Sequence, residues 1–381
     1  MSIYKEDIEE AKERLAAWWD HEIIDRPCIS YFLPKSNIPF KGVWDLWYLA
    51  KNWDDIEGCL DDFEDKAESL HFRAENIPWL FLNYGPGILA SVFGANMTFK
   101  SETVWFNRQT PVDEIVPYLE SIKLNGNNKW YNRLLKVTEY AAKRAGNNYS
   151  ISVTDLGGVL DILSSFLGPT NIILTMKRNP SIIDKCRSII LEKLLKVYNE
   201  LQSIIEKYQD GCNCWLPVWC PKRWYPIQSD FSAMLSPKFF KRFALPDIIE
   251  QAESLDYAIY HLDGPGQIVH LDDLLKEPSI TGIQWVPGAG EEPAESEKWF
   301  PLYKKIQNAG KNIIADNPLD AEGCVTQLYK KFDPKGLFMI LVYLSDIQAK
   351  YYLPDFLGGN YGEGEYRQFK REYRKRIKNR K

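Results

Sequence analysis

The fold is decided by the stretch Tyr257-Ala258-Ile259-Tyr260-His261-Leu262-Asp263-Gly264-Pro265-Gly266. An apolar run too short for an ordinary helix ends in a histidine, an aspartate and three turn-forming residues, which is typical of a buried strand ending at the rim of a sheet or barrel. His261 and Asp263 are two residues apart, so an extended backbone directs both side chains to the same face. An imidazole beside a carboxylate suits metal binding, a polar ligand or proton transfer.

The same pattern of an apolar run before turn-forming residues recurs along the chain, separated by stretches with helical spacing of apolar residues. It predicts about eight strands, at 28–33, 77–82, 149–154, 214–219, 257–262, 280–286, 312–315 and 336–344. Helices are predicted in the intervals, including 5–21, 54–70, 112–143, 181–208, 236–255, 298–309 and 321–331. Because strands and helices alternate without a linker, we expect an α/β fold, a single (β/α)8 TIM barrel over residues 1–366 with an N-terminal helical extension.

Charge is distributed unevenly along the 381 residues, whose net charge is −5. The C-terminal segment 367–381 holds nine lysines or arginines against one glutamate, so the remainder of the chain carries a net charge of −13. An acidic body argues against nucleic acid as a partner. The basic tail is predicted to be a solvated last helix or a frayed end, and contact with nucleic acid or a membrane surface stays the alternative.

Composition also bears on location and on the kind of site. The N-terminus is charged and amphipathic, and no apolar run is long enough to span a bilayer, so we expect a cytoplasmic protein without a membrane partner. Its seven cysteines are then expected to be reduced thiols. An aromatic content of 14% predicts a sizeable pocket as well as a packed core.

In a barrel of this type the active site forms at the carboxyl ends of the strands. The substrate-binding residues predicted there are Tyr84, Asp155, Trp219 and Trp285. Arg223, in an aromatic loop, is predicted either to hold a substrate carboxylate or to stack on its neighbour Trp224. Further strand-end polar residues are Asp316, Asn317, Ser345 and Asp346.

Two sets of side chains are candidates for a metal site. His261 and Asp263 are two ligands where zinc needs three or four, and Asp230, in a loop before a predicted helix, is the third. The alternative is a structural histidine, with Asp263 capping the following turn. A second set combines His261 with the three cysteines Cys212, Cys214 and Cys220. The alternative for these cysteines is that they are small buried apolar residues of the core.

Four sequence segments resemble the uroporphyrinogen decarboxylase superfamily. The most specific is Ser229–Pro246, in which an acidic residue and a short linker precede a Ser-Pro pair, an aromatic and basic helix, and a proline. A strand ending in His261 follows, and Asp316–Asp320 is similar to a later turn of that superfamily. The opening Trp18-Trp19 and Asp25-Arg26-Pro27 resemble an uncharacterised branch. The resemblance spans most of the chain and implies a single (β/α)8 barrel.

The superfamily implies two kinds of chemistry. Its decarboxylases remove acetate carboxyl groups from a tetrapyrrole without a cofactor, and hold them through arginines of an N-terminal RQAGR motif that this chain lacks. Its methylcobalamin-dependent methyltransferases bind zinc through His-x-Cys and a later cysteine. His261 matches that histidine, but Asp263 stands in place of the cysteine, and 342–346 contains none. A site of Asp230, His261 and Asp263 would offer harder ligands than a site with cysteine thiolates, and its oxygen ligands would leave the metal more Lewis acidic.

The leading expectation is a methyltransferase that acts with a corrinoid (methylcobalamin), supplied by a partner protein, or on a methylated small substrate. His261, Asp263 and Asp230 would be its catalytic residues, as ligands of zinc or as acid and base groups. The alternatives are a cofactor-free decarboxylase of uroporphyrinogen or another carboxylated small molecule, and a non-catalytic binding barrel. A small-molecule substrate is expected in each case, and a homodimer is left open.

Overall fold

A mostly parallel sheet forms the centre of this α/β protein, in a computed structural model that describes residues 2–35, 38–101, 103–316, 328 and 331–340. The strands of the described chain are β1 Cys28–Pro34, β2 Leu70–Ala74, β3 Trp79–Leu80, β4 Asn96–Lys100, β5 Thr103–Asn107, β6 Ser150–Ile151, β7 Trp224–Ile227, β8 Tyr257–Asp263, β9 Gly282–Val286, β10 Asn312–Asp316 and β11 Leu337–Ile340.

Helices separate most of these strands. They are α1 Ile8–Trp19, α2 Tyr48–Lys51, α3 Ile56–Ala67, α4 Leu89–Val92, α5 Ile115–Ser121, α6 Lys129–Ala145, α7 Val159–Leu167, α8 Pro169–Arg178, α9 Pro180–Ile205, α10 Pro237–Phe243, α11 Leu245–Glu253, α12 Leu271–Lys276 and α13 Phe300–Asn308. Short 3₁₀ helices cover Asp230–Met234, Pro265–His270 and Glu297–Trp299. α10 begins as the sequence indicates, with the Ser236 hydroxyl accepting a hydrogen bond from the backbone N–H of Phe239 and Pro237 at the first helical position.

The strands pair in the order β2-β1-β11-β10-β9-β8-β7, and only β2 runs antiparallel to its neighbour. β3 pairs in parallel with β6, and β4 with β5 forms an antiparallel hairpin. The predicted α/β fold with a mostly parallel sheet is thereby confirmed. Strand pairing within the described ranges forms three separate sheets and not one closed ring, so the closure of a (β/α)8 barrel stays a prediction.

The parallel pairing aligns the carboxyl ends of β7, β8 and β9 at one edge of the sheet. Ile227 lies opposite Tyr260, and His261 lies opposite Gln284. At the other edge, α1 packs across the amino ends of the strands. Trp19 of this helix contacts the rings of Trp224 and Tyr257 at centroid distances of 4.9 and 5.1 Å. The predicted N-terminal helix therefore covers the edge of the sheet that lies away from His261.

The strand predicted over 214–219 differs from the structure. The segment 214–219 forms no regular strand, and Cys212 and Cys220 pair there through a single bridge. The neighbouring strand is β7, which we had predicted as part of a loop. Pro217 lacks the N–H that a ladder requires, whereas Pro226 is tolerated because β7 ends the order of its sheet.

Several predictions fall wholly or partly outside the described residues. The strand predicted over 336–344 is present as β11 as far as Ile340. Only residues 328 and 331 of the predicted helix 321–331 are covered, and both are helical. The strand-end residues Asn317, Ser345 and Asp346 and the tail 367–381 lie outside the described residues, so the boundary at 366 stays a prediction.

The helices of the described residues can be compared with the length and apolar character that a membrane span requires. No single helix there combines the required length and apolar character, although α7 and α8, bent by 103° at their junction, meet both criteria as a pair. Most residues of α7 are buried, and core helices meet the same criteria.

Candidate active site

Asp230, His261 and Asp263 lie together at the carboxyl ends of the parallel strands. Each offers one ligand atom, and the three atoms all lie within 4.8 Å of one another. His261 and Asp263 share a face of β8, as their spacing predicts. Asp230 comes from the short 3₁₀ helix that follows β7. The structure therefore brings together the three residues that the sequence predicted as metal ligands or acid and base groups.

A side-chain amide on the neighbouring strand orients His261. Its Nδ1 lies 2.6 Å from Oε1 of Gln284, the residue directly opposite on β9. An amide oxygen only accepts hydrogen bonds, so Nδ1 carries a proton and donates it, and Nε2 is the ring nitrogen that could bind a metal. The Trp215 ring packs edge-on against the imidazole at a centroid distance of 5.1 Å. Such a fixed tautomer is typical of histidines that bind a metal.

A half-buried carboxyl that was not predicted from the sequence holds the Asp230 loop in place. Asp161, in the first turn of α7, accepts hydrogen bonds from the backbone N–H groups of Asp230 and Phe231 at 3.0 and 2.6 Å. Burial, followed by the charge of Asp230, raises the pKa of Asp161 to about 7. Burial also raises the pKa of Asp230, and the Asp263 carboxylate adds to this. The only signal in the sequence is an acidic residue in a first helical turn, which is common in helices without a functional site.

Asp155 is the fourth carboxyl of the site and is only 6% exposed. Its Oδ1 accepts hydrogen bonds from the Gly157 backbone N–H at 2.8 Å and from Gln228 Nε2 at 2.9 Å. Burial raises its pKa to about 7, and the Asp230 charge adds to this. In the described ranges, none of the four carboxyl groups pairs with a lysine or arginine. The site therefore holds a surplus of negative charge that a cation would neutralise.

Two glycine-containing loops, one after β3 and one before α7, pack closely against each other beside the site. Gly157 has a φ of +85°, and a Cβ at this position would lie 2.7 Å from the Cα of Gly87. The turns 85–87 and 157–158 therefore pack backbone against backbone, which side chains would prevent. Both were predicted as rim loops, and their contact places Asp155 beside the loop that follows β3.

A cavity of about 370 Å³ adjoins the cluster. Asp155 and Trp215 line it, and both belong also to the surroundings of His261. Its wall is rich in aromatic residues, and no lysine, arginine or histidine of the described residues lines it. The aromatic side chains in its wall include Phe32, Trp44, Trp47, Trp79 and Phe81. Among the described residues, the cavity is therefore an apolar pocket whose one ionisable wall group is a carboxyl.

Tyr84 and Trp285, predicted to bind substrate, lie near the site but point away from the cavity. The Tyr84 ring packs against Trp130 of α6 at 5.9 Å, and burial raises the pKa of its hydroxyl. Trp285 follows Gln284 on β9 and so occupies the opposite face, where it contacts Trp299 at 4.8 Å. Neither belongs to the cavity wall.

Trp219 and Arg223 lie at the amino ends of the strands. Arg223 immediately precedes β7, and its guanidinium pairs with Glu206 at 2.6 Å beyond the C-terminus of α9. The Trp219 indole donates a hydrogen bond to the Asp210 carbonyl, and Lys12 lies over its ring. The Arg223 backbone carbonyl accepts a hydrogen bond from the Tyr257 N–H at the start of β8. His261 lies four residues further along that strand, about 13 Å away. The structure therefore does not bring Trp219 and Arg223 to the predicted site.

The cysteines considered as zinc ligands are also separated from His261. Cys212 and Cys214 have sulfur atoms 3.9 Å apart and pack near Tyr198 of α9 and the Trp224 carbonyl. Cys220 instead accepts a hydrogen bond from the Lys222 backbone N–H. Asp230, His261 and Asp263 are the only group within the described ranges whose geometry suits a metal ion. The set of three thiols with His261 is therefore not assembled.

Comparison with known proteins adds the fold and no sequence relationship. No protein-family model matches the chain, and no curated protein sequence does. Among solved structures, a methyltransferase from Methanosarcina mazei is similar, with a TM-score of 0.59, 12% identical residues, and coverage of 87% of this chain and 93% of that one. At this identity the likeness shows that the chain shares its α/β fold with a methyltransferase.

Proposed function

We propose that the protein is a methyltransferase that moves a methyl group between a small molecule and a corrinoid carried by a partner protein. A divalent metal ion held by Asp230, His261 and Asp263 would take part. The observation that carries the proposal is the convergence of three ligand atoms within 4.8 Å beside an aromatic cavity. The fold shared with a methyltransferase supports it.

The donor set fits a catalytic metal site. One imidazole and two carboxylates are three protein ligands, which leaves a coordination position open for a substrate atom. The Gln284 contact keeps the proton of His261 on Nδ1, so Nε2 is the free donor. Bound there, a zinc ion would act as a Lewis acid towards an oxygen atom of the small molecule. Asp161 would hold the Asp230 backbone in position through its two hydrogen bonds.

Decarboxylation of a polycarboxylated tetrapyrrole has less support. A substrate with several carboxylates needs cationic side chains around it, because buried anions are costly without partners. In the part of the chain that the structure describes, no lysine or arginine lines the cavity. Arg223, the residue predicted to hold a substrate carboxylate, is paired with Glu206 at the other edge of the sheet.

The test combines metal content with turnover. The purified chain is loaded with zinc, dialysed and analysed for bound metal. Reduced cobalamin and a panel of methylated small molecules are then added, and methylcobalamin formation is followed by absorbance. We expect about one zinc ion per chain, with zinc and turnover both lost in Asp263→Asn. Asp113→Asn, at an exposed turn, is the matched control and should retain both.

Retention of zinc and turnover by Asp263→Asn would contradict the proposed site. Release of carbon dioxide from uroporphyrinogen, without methyl transfer, would favour the decarboxylase. Ligand retention without any turnover would favour a binding protein.

A further inference from the structure

We propose that the aromatic cavity binds a compact organic cation, such as a methylated ammonium group, with Asp155 as the counter-charge. This inference deepens the proposed function, on which it rests for the role of the bound cation as the methyl-bearing substrate. Binding itself involves the aromatic wall and one carboxylate and does not require the metal ion.

The cavity wall has the composition that attracts organic cations. Of the eighteen described residues that line it, seven are aromatic, and four of these are tryptophans. The negative face of an aromatic ring attracts a cation, and tryptophan does so most strongly. The rings of Trp79 and Phe81 are nearly parallel, with an interplanar angle of 17° and centroids 6.2 Å apart. Methyl groups around a positive nitrogen would make apolar contact with such a wall while the charge is stabilised.

Asp155 provides the one charged group among the described residues of this wall. Both of its hydrogen bonds are accepted by Oδ1, and within the described part of the chain Oδ2 has no hydrogen-bond partner. The side chain is 94% buried, given its exposure of 6%, yet it lines the cavity. A buried carboxylate without a cationic side chain is costly. A cationic ligand would remove that cost, whereas an anionic ligand would increase it.

Size and access are consistent with a small ligand. The cavity of about 370 Å³ lies at the lower end of the range for small-molecule sites. Val43 and Leu46 line it and are 39% and 40% exposed, so they mark its opening to solvent. The ligand would therefore enter between apolar side chains, with its charged end directed towards Asp155.

The charge preference is measured by calorimetric titration with choline and with its neutral isostere 3,3-dimethylbutan-1-ol. We expect choline to bind at least about tenfold more tightly. In Asp155→Asn this preference should fall below about threefold, while the affinity for the neutral isostere changes less than about twofold. Equal affinities in the unaltered protein would overturn the proposal, as would failure of choline, tetramethylammonium and N-methylpyridinium to bind at about 10 mM.

The aromatic contribution is measured with a matched pair of tryptophan variants. Trp47→Leu removes a half-buried ring from the cavity wall, and choline should bind about three- to tenfold more weakly. Trp105→Leu removes a ring that is 64% exposed and outside the wall, and choline affinity should be unchanged. Equal choline affinities in the two variants would overturn the proposal.

Repeating the titrations with His261→Ala separates this inference from the proposed function. A choline preference that persists in this metal-free variant supports the cation site whether or not methyl transfer is found. If neither the unaltered protein nor the His261→Ala variant prefers choline to its neutral isostere, the cation site is overturned, even where zinc binding and methyl transfer are observed.

Discussion

Two histidines make the same hydrogen bond at opposite edges of one sheet. His261 Nδ1 lies 2.6 Å from Oε1 of Gln284 on β9, and His21 Nδ1 lies 2.6 Å from Oδ1 of Asn312 on β10. Gln284 is the middle residue of its strand, whereas Asn312 is the first residue of its own. The two pairs therefore share local chemistry and differ in what surrounds them.

The surroundings give the two histidines different roles. Asn312 also donates a hydrogen bond to the Trp18 carbonyl, so the His21 pair fastens the end of α1 to the sheet. Within the described ranges His21 belongs to no group suited to a metal ion, whereas His261 faces Asp230 and Asp263. A histidine–amide pair alone therefore does not identify a site. The His261–Gln284 pair differs from the His21–Asn312 pair because carboxylates without a cationic partner, and a cavity, lie beside it.

The largest expected effect comes from removing the two histidines in parallel. His261→Ala should abolish zinc retention and lower methyl transfer at least about 1000-fold, because two carboxylates alone hold zinc weakly. His21→Ala should retain zinc and turnover but lower the free energy of unfolding by about 1–2 kcal/mol, the cost of one lost hydrogen bond and its unpaired partner. Metal analysis, turnover and urea unfolding give the three readouts.

Loss of zinc in both histidine variants would show that the two edges of the sheet are coupled and would remove the contrast. If both histidine variants bind as much zinc as the unaltered protein, the metal site lies elsewhere.

The next largest effect concerns Asp155, whose pKa rises from 3.8 to about 7 in the folded protein. Between these values the folded state holds a proton that the unfolded chain has released, so stability falls as pH rises from about 4 to about 7 and stays reduced above. Asp155→Asn removes this penalty and should raise the free energy of unfolding by roughly 4 kcal/mol at pH 8. At pH 4 the two proteins should be nearly equal.

Urea unfolding at several pH values measures this difference. A stability gain that is the same at pH 4 and pH 8 would rule out the buried carboxylate as its cause.

A smaller effect is expected when only the support of His261 is altered. Gln284→Met keeps the side-chain length but removes the acceptor for Nδ1–H. Zinc affinity should fall by about 10- to 100-fold, the usual cost of losing such a partner. Competition with a chelator measures the affinity. If zinc affinity is unchanged, Gln284 has no role in orienting the ligand.

The smallest effect is expected at the amino edge of the sheet. Arg223→Gln breaks the ion pair with Glu206, and both side chains retain solvent contact. The free energy of unfolding should fall by less than about 1 kcal/mol, as for other surface pairs. Choline binding and methyl transfer should not change. A specific loss of turnover would return Arg223 to the substrate site that the sequence predicted for it.

The local parts of the site could be predicted because backbone geometry alone decides them. The spacing of His261 and Asp263 implies a shared face on any strand, and the structure has that face. The start of α10 at Ser236 and Pro237 is likewise determined by capping chemistry. The strand at 224–227 was missed because its proline argues against a strand until its place at the end of the sheet order is known.

The sequence by itself determined the alternation of strands and helices, the shared face of His261 and Asp263, and the acidic character of the candidate site. These depend on hydrophobic periodicity and on side chains close together in the chain. The tertiary structure alone decided that Asp161 fixes Asp230, that Asp155 lies in an aromatic cavity, that Trp285 faces a helix and that Arg223 lies at the opposite edge. Each of these depends on which distant segments meet, because burial and charge compensation arise only when the chain packs.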